Sequence, residues 1–273
     1  MRLVIDTSAL RSPSTRDYLS ASKNNEIMLP QTVVTECLKG NEVENMRRSL
    51  RYITIFSNQV SVLKSGRTLL NMRPRGTGLQ SRLIDYRLTK GLRRNLMFNL
   101  GQTGLAAFEV DGMIRSDKPG ADAAHAAYLK FSKEARDGML RDHGSLSNDE
   151  IRALRQGTLV PSLLEKVQRR ALATTAKLFK DQGCDLQSIP VRDAVYSLQF
   201  RYAIATESLM MDWSVSAGLS TRSDKNVAND LIDLSQVALG TYFDGVLALD
   251  VRLLRVAGLA RVLVAELIKL HNN

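Results

Sequence analysis

Histidine and cysteine are scarce in this chain of 273 residues, which holds three of the first and two of the second. No Cys/His cluster with zinc-ligand spacing occurs, which excludes a zinc-finger type of site. His125, His143 and His271 stand in no motif, so a hydrolase built on a histidine base is disfavoured. Cys37 and Cys184 read as two unpaired thiols of a reducing cytoplasm rather than a disulfide framework. No apolar run approaches the roughly 18 residues of a transmembrane helix. Asp6 arrives too soon for the apolar core of a signal peptide. Internal repeats and low-complexity segments are also missing. The expectation is a cytoplasmic globular chain with no membrane partner, and an apolar fraction of 44% is ordinary for one.

What the chain has in excess is positive charge. Lys and Arg number 38 against 28 Asp and Glu, a net charge of +10. That balance favours polyanionic partners. Most of it is concentrated. Residues 61–100 carry nine basic side chains, Lys64, Arg67, Arg73, Arg75, Arg82, Arg87, Lys90, Arg93 and Arg94, against Asp85 alone. Residues 101–220 carry fifteen of each sign. The run Arg-Pro-Arg-Gly-Thr-Gly within the basic segment is suited to close approach to a phosphate backbone. Two readings stay open: a nucleic-acid-binding arm using Arg73, Arg75, Arg82, Arg87, Lys90, Arg93 and Arg94, or a solvated helix face meeting an acidic protein. Aromatics for base stacking are sparse here, with only Tyr86 and Phe98.

The acids of interest lie at the two ends of the chain. Residues 2–6 read as a strand running into Asp6, followed by Thr7 and Ser8 in a strand-to-helix turn. Residues 14–25 read as a helix with Ser14 and Thr15 as caps, and Glu26–Pro30 as a second strand. Residues 32–40 open a helix with Glu36 one turn in. Residues 42–51 continue helically, while 52–56 and 60–63 read as β-like. Near the C-terminus, Leu231, Leu234, Val237 and Ala238 recur at helical spacing. Asp230 is expected in the first turn of that helix, where the dipole favours a carboxylate, with Asp233 on the same face. Gly245–Leu249 reads as a buried strand ending at Asp250, where parallel strands carry their sites. Asp244 marks a loop or strand start.

Val-Ile-Asp6-Thr-Ser, Leu-Pro-Gln-Thr-Val-Val-Thr-Glu36, Asn-Asp230-Leu-Ile-Asp233 and Gly-Val-Leu-Ala-Leu-Asp250 resemble, in this order, the successive motifs of PIN domains. The resemblance implies an α/β fold with a parallel sheet flanked by helices and an acidic pocket binding Mg²⁺ or Mn²⁺. It implies catalytic roles for Asp6, Glu36, Asp230 and Asp250, and metal ligation by Asp6, Asp230, Asp233 and Asp250. It covers residues 1–60 and 221–273, which would form one discontinuous domain. Residues 61–220 would be a large, mainly helical insertion. Helices are expected over 79–100, 121–142, from 147, over 162–182 and from 191 to about 217. Many relatives carry a hydroxyl two residues before the last acid; this chain has Ala248 there, so Thr7 or Ser8 must fill that role or it is absent.

Taken singly, Asp6 and Asp230 read as helix caps ahead of catalytic groups, and Asp250 can likewise cap the helix beginning at Val251. Taken as an ordered set they favour a metal pocket, and hard oxygen ligands select Mg²⁺ or Mn²⁺. The expected activity is metal-dependent endonucleolytic hydrolysis, on RNA ahead of DNA by the family's habit. The alternatives are a non-catalytic RNA- or protein-binding module on the same scaffold, or a toxin-like subunit of a toxin–antitoxin pair, controlled by a protein inhibitor or by self-association.

Overall fold

In a computed structural model the structure describes residues 1–37, 42–98, 134, 136–141, 144–183, 189–216 and 223–272. Most of the helix expected over 121–142, and Cys184, lie outside the described residues. The chain divides into two compact units. One comprises residues 1–69, 78–124 and 242–254, and the other 70–77, 125–241 and 255–273. The units are thus bounded differently from the expected domain and insertion, and the basic segment is shared between them.

The first unit is an α/β layer. Four parallel strands, β1 (Arg2–Ile5), β2 (Glu26–Leu29), β3 (Val60–Val62) and β4 (Val246–Leu247), form a sheet in the order β3-β2-β1-β4. In register, Val4 faces Met28 on one side and Val246 on the other. Val4, Ile5, Met28 and Leu29 have no exposed surface, as expected of parallel strands covered on both faces. Helices α1 (Thr7–Leu10), α2 (Pro13–Ala21), α3 (Gln31–Cys37) and α4 (Glu42–Ile55) follow the strands. Ile5, Leu10, Leu19, Ile27, Val33, Ile53 and Val60 make one apolar core. Residues 52–55, expected as a strand, are the last turn of α4: Ile53 is buried, and the Thr54 hydroxyl donates to the Leu50 carbonyl at 2.7 Å. Core packing one helical turn apart outweighs the β-branched composition. The α2 cap is Ser12, whose side chain accepts from the Ser14 amide, so the helix starts one residue earlier than expected.

The outer edge of β3 is fully used. Asp85 donates its amide to Val62 O at 2.8 Å, Lys64 to Leu83 O at 2.9 Å, and Val62 donates to Thr89 Oγ1 at 2.9 Å. Arg93 Nε donates to Val60 O at 3.0 Å. Residues 83–85 therefore interrupt the helix expected over 79–100, leaving α5 (Gly66–Leu70), α6 (Leu79–Leu83) and α7 (Tyr86–Phe98). An edge strand is closed by this means against further pairing.

The second unit is helical: α8 (Asn148–Arg155), α9 (Pro161–Asp181), α10 (Val191–Ala194), α11 (Leu198–Ser216), α12 (Asp224–Gly240) and the part of α13 (Val251–Asn272) from Arg255. The pattern from Val191 is broken into α10 and α11. α11 is buried on every side, Phe200, Ile204, Met211 and Trp213 among its core residues, which identifies it as the central helix. It carries charges into that interior: Glu207 pairs with Arg170 at 2.8 Å, and Asp212 pairs with Arg255. Ser147 and Glu150 form a capping box at α8, where a helix was expected to start. α9 ends before Gly183, whose φ of +71° suits glycine. α12 begins at Asp224, capped by Ser223. Asp230 therefore lies nearly two turns inside the helix rather than in its first turn, and the dipole argument belongs to Asp224.

Candidate active site

β1 lies between β2 and β4, so the chain leaves β1 to one side for its second strand and returns on the other side for its fourth. Such a reversal marks the carboxyl ends of β1 and β4 as the place where doubly wound sheets put their ligands. Asp6 and Asp250 follow those two strands. Asp6 donates its amide to Leu247 O at 2.9 Å, continuing the ladder by one residue. Its φ of −88° and ψ of 154° are extended, and its carboxylate caps α1. Asp6 Oδ2 accepts from the Ser8 amide at 3.0 Å and from the Ser8 hydroxyl. Ser8 Oγ in turn accepts from the Leu249 amide at 3.4 Å. One hydroxyl thus links the acid after β1 to the chain after β4.

Glu36 joins the same edge through Thr7, whose hydroxyl donates to Glu36 Oε2 at 2.7 Å. The connection follows from the fold: α3 begins where β2 ends, and β2 is the parallel neighbour of β1. Asp250 Oδ1 accepts from the amides of Arg252 at 2.7 Å and Leu253 at 3.2 Å, capping α13. Each carboxylate is oriented through one oxygen. The other oxygens, Asp6 Oδ1, Glu36 Oε1 and Asp250 Oδ2, take no part in those bonds. Asp250 and Glu36 are exposed and Asp6 is half-buried, so the edge is open to solvent. Exposed Leu249 and Val251 flank Asp250 and form an apolar rim that no sequence motif signalled.

Asp230 and Asp233 lie on α12 in the helical unit, Asp230 buried and Asp233 half-buried. Among the described residues no group of three or more His, Cys, Asp or Glu side chains gathers to hold a metal ion. The donor set at the sheet edge still suits a small hard cation. Mg²⁺ is commonly held by one or two carboxylates, with water and substrate phosphate completing its shell.

The basic residues divide by helical phase. On α7, Arg87, Lys90 and Arg94 fall on one exposed face, spaced three and four residues apart. Thr89 and Arg93 point the other way, to β3. Arg93 also lies 3.8 Å from Glu26, so its guanidinium belongs to the sheet edge. Arg82 on α6 is half-buried, and Arg73 and Arg75 are exposed. Their segment is anchored within the helical unit. Pro74 is buried, Gln199 Nε2 donates to Leu70 O at 2.8 Å, and a Cβ on Gly76 would stand 3.0 Å from the Tyr196 ring. The glycine there is explained by Tyr196, a partner the sequence did not reveal.

Comparison with protein-family models, with curated proteins and with solved structures returns no match. No described helix is long and apolar enough to cross a membrane.

Proposed function

We propose that the carboxyl edge of the sheet is the active site of a metal-dependent phosphodiesterase of PIN type, acting as an endonuclease on RNA ahead of DNA. The observation that carries this reading is that Asp6 ends β1 while Asp250 follows the neighbouring parallel strand β4 by three residues, with Ser8 bonded both to Asp6 and to the Leu249 amide, at the point where the strand order reverses. Asp6 and Asp250 would hold Mg²⁺ or Mn²⁺ through the oxygens left outside their capping bonds. When bound, the ion lowers the pKa of a water and offsets charge on the scissile phosphate. Ser8 fixes the orientation of the Asp6 carboxylate, and Thr7 fixes that of Glu36. Glu36 is then the carboxylate available to orient the attacking water. The exposed Arg87, Lys90 and Arg94 face of α7 supports contact with a phosphate backbone, which adds affinity without sequence preference.

The test is cleavage of single-stranded RNA, structured RNA and single-stranded DNA in Mn²⁺, Mg²⁺ or EDTA. Asp6→Asn retains the cap on α1, because an amide oxygen also accepts from Ser8, and should lose cleavage by at least about a hundredfold while the fold is kept. Cleavage by Asp6→Asn at the wild-type rate refutes the assignment.

A further inference from the structure

The opposite end of the sheet carries a second polar concavity. Arg2 opens β1, Glu26 opens β2, and Asn58 and Gln59 lead into β3. With Lys23 and Asn24 from the turn before β2, these residues line a cavity of about 390 Å³. That volume lies within the usual range for small-ligand sites, of roughly 300–1,000 Å³. None of these residues takes part in the acidic edge.

The walls are held firmly. Gln59 Nε2 donates to Leu19 O at 3.1 Å, Ser22 O at 2.9 Å and Asn25 O at 2.7 Å, so one amide clasps the whole α2–β2 turn. Asn24 donates its amide to Ser22 Oγ at 3.2 Å, which fixes the turn further. Glu26 accepts from Arg2 Nε at 2.9 Å and from Ser61 Oγ at 2.9 Å, and lies 3.8 Å from Arg93. Its negative charge is thus matched by two guanidiniums. Arg2 Nη1 reaches Gln80 Oε1 at 3.2 Å, which sets the plane of the fork. The remaining lining groups, the Lys23 ammonium and the Asn24 and Asn58 side chains, are exposed. The cavity therefore presents an oriented guanidinium, an ammonium and two amides, with its single lining carboxylate already neutralised. Asp244, the nearby acid that accepts from the Arg2 amide at 2.6 Å, is engaged by that bond.

Such a donor set matches a phosphate group, which Arg binds through its fork and Lys as a point charge. We propose that this amino-edge cavity is a phosphate-binding site, sized for a mononucleotide unit and separate from the acidic edge. The phosphate can come from a free nucleotide or from the end of a nucleic-acid strand.

The two sources are separated by calorimetric titration of the full chain in EDTA. The probes are inorganic phosphate, a 5′-nucleoside monophosphate, and one short oligonucleotide carrying either a 5′-phosphate or a 5′-hydroxyl. The double variant Lys23→Glu/Asn58→Asp changes only exposed side chains and serves as the site knockout. Saturable binding of the monophosphate, weakened at least tenfold in the double variant, supports the site with a free nucleotide as ligand. Tighter binding of the 5′-phosphorylated strand than of its 5′-hydroxyl twin, with the same loss, supports it with a strand end as ligand. Binding should persist in Asp6→Asn, so a failed cleavage assay leaves this result intact. If no phosphate-bearing probe binds, or the double variant binds all of them as the wild type does, the proposal is overturned.

Discussion

Glu150 gives the sharpest test of what holds the helical unit together. Its side chain is 4% exposed and meets three donors: the Ser147 amide at 2.8 Å, Ser162 Oγ at 2.9 Å and Lys166 Nζ at 2.8 Å. Burial by itself raises the pKa of this carboxyl. The Lys166 ammonium and the other two hydrogen bonds outweigh burial and hold it down at about 2. Glu150→Ala removes half of the α8 capping box, a loss of about 1 kcal/mol. Breaking a buried pair costs about 3–5 kcal/mol when the surviving charge is stranded. Lys166 is 27% exposed and also donates to Ser145 O at 2.8 Å, so the lower end applies. The expected total is about 3–4 kcal/mol. Trp213 is the single tryptophan and is buried in α11, so its fluorescence reports this unit. With a urea slope of about 2–3 kcal/mol per molar, the midpoint should fall by about 1–2 M. The pH dependence has a fixed sign. The folded pKa lies below the ordinary carboxyl value of 4.5, so the stabilisation is complete above that value and is lost as pH falls toward 2. The gap between wild type and variant should therefore close across that window. A midpoint unchanged by the substitution, or a gap that stays constant down to pH 2, refutes the reasoning.

Three further outcomes are expected. Asp6→Asn should abolish metal-dependent cleavage while leaving the urea midpoint followed by far-ultraviolet circular dichroism, which reads both units, within experimental scatter of the wild type. Gly76→Ala places a methyl 3.0 Å from the Tyr196 ring and should destabilise the helical unit by about 1–3 kcal/mol; combining it with Tyr196→Ala should remove most of the penalty, and purely additive losses would refute the contact. Burial pushes the Tyr18 hydroxyl up to about 12 from the ordinary 10, against the lowering effect of its hydrogen bond to Glu26 O. The neutral phenol is favoured in the fold, so its contribution is intact below pH 10 and is lost between 10 and 12; ultraviolet titration of Tyr18→Phe against wild type should show the missing late-ionising tyrosine, and a curve without such a step in the wild type would contradict it.

The strands β1 and β2, the helix start at Ser147 and the placement of Asp6 at the end of β1 were legible because each is written locally; the buried strand expected up to Asp250 instead closes at Leu247 and leaves Leu249 exposed. Short β-branched runs, cap residues at fixed offsets and acids after apolar runs need no distant partner to be recognised. The start of α12 was not legible, because Ser223-Asp224-Lys225-Asn226 has a loop's composition and becomes a first turn only with Ser223 as its cap. Nor was the break at Leu83–Asp85, since a helix-like apolar period continues through it until the open edge of β3 claims the backbone. The roles of Arg93 and Arg94 differ by one helical step, and only the contact of Thr89 with β3 fixes which side faces solvent.

The sequence by itself determined the parallel α/β class, the helical character of the described residues between β3 and β4, the basic excess and the acids that end β1 and precede α13. Tertiary structure alone decided that β4 pairs with β1 and so brings Ser8 to Leu249, 241 positions away. It also decided that Asp230 is an interior residue of a helix in the other unit, and that Gly76 answers to Tyr196. The physical reason is common to all three. Local propensity selects an element, but a side chain's neighbours are set by strand order, helical phase and burial, and these exist only once distant segments have packed.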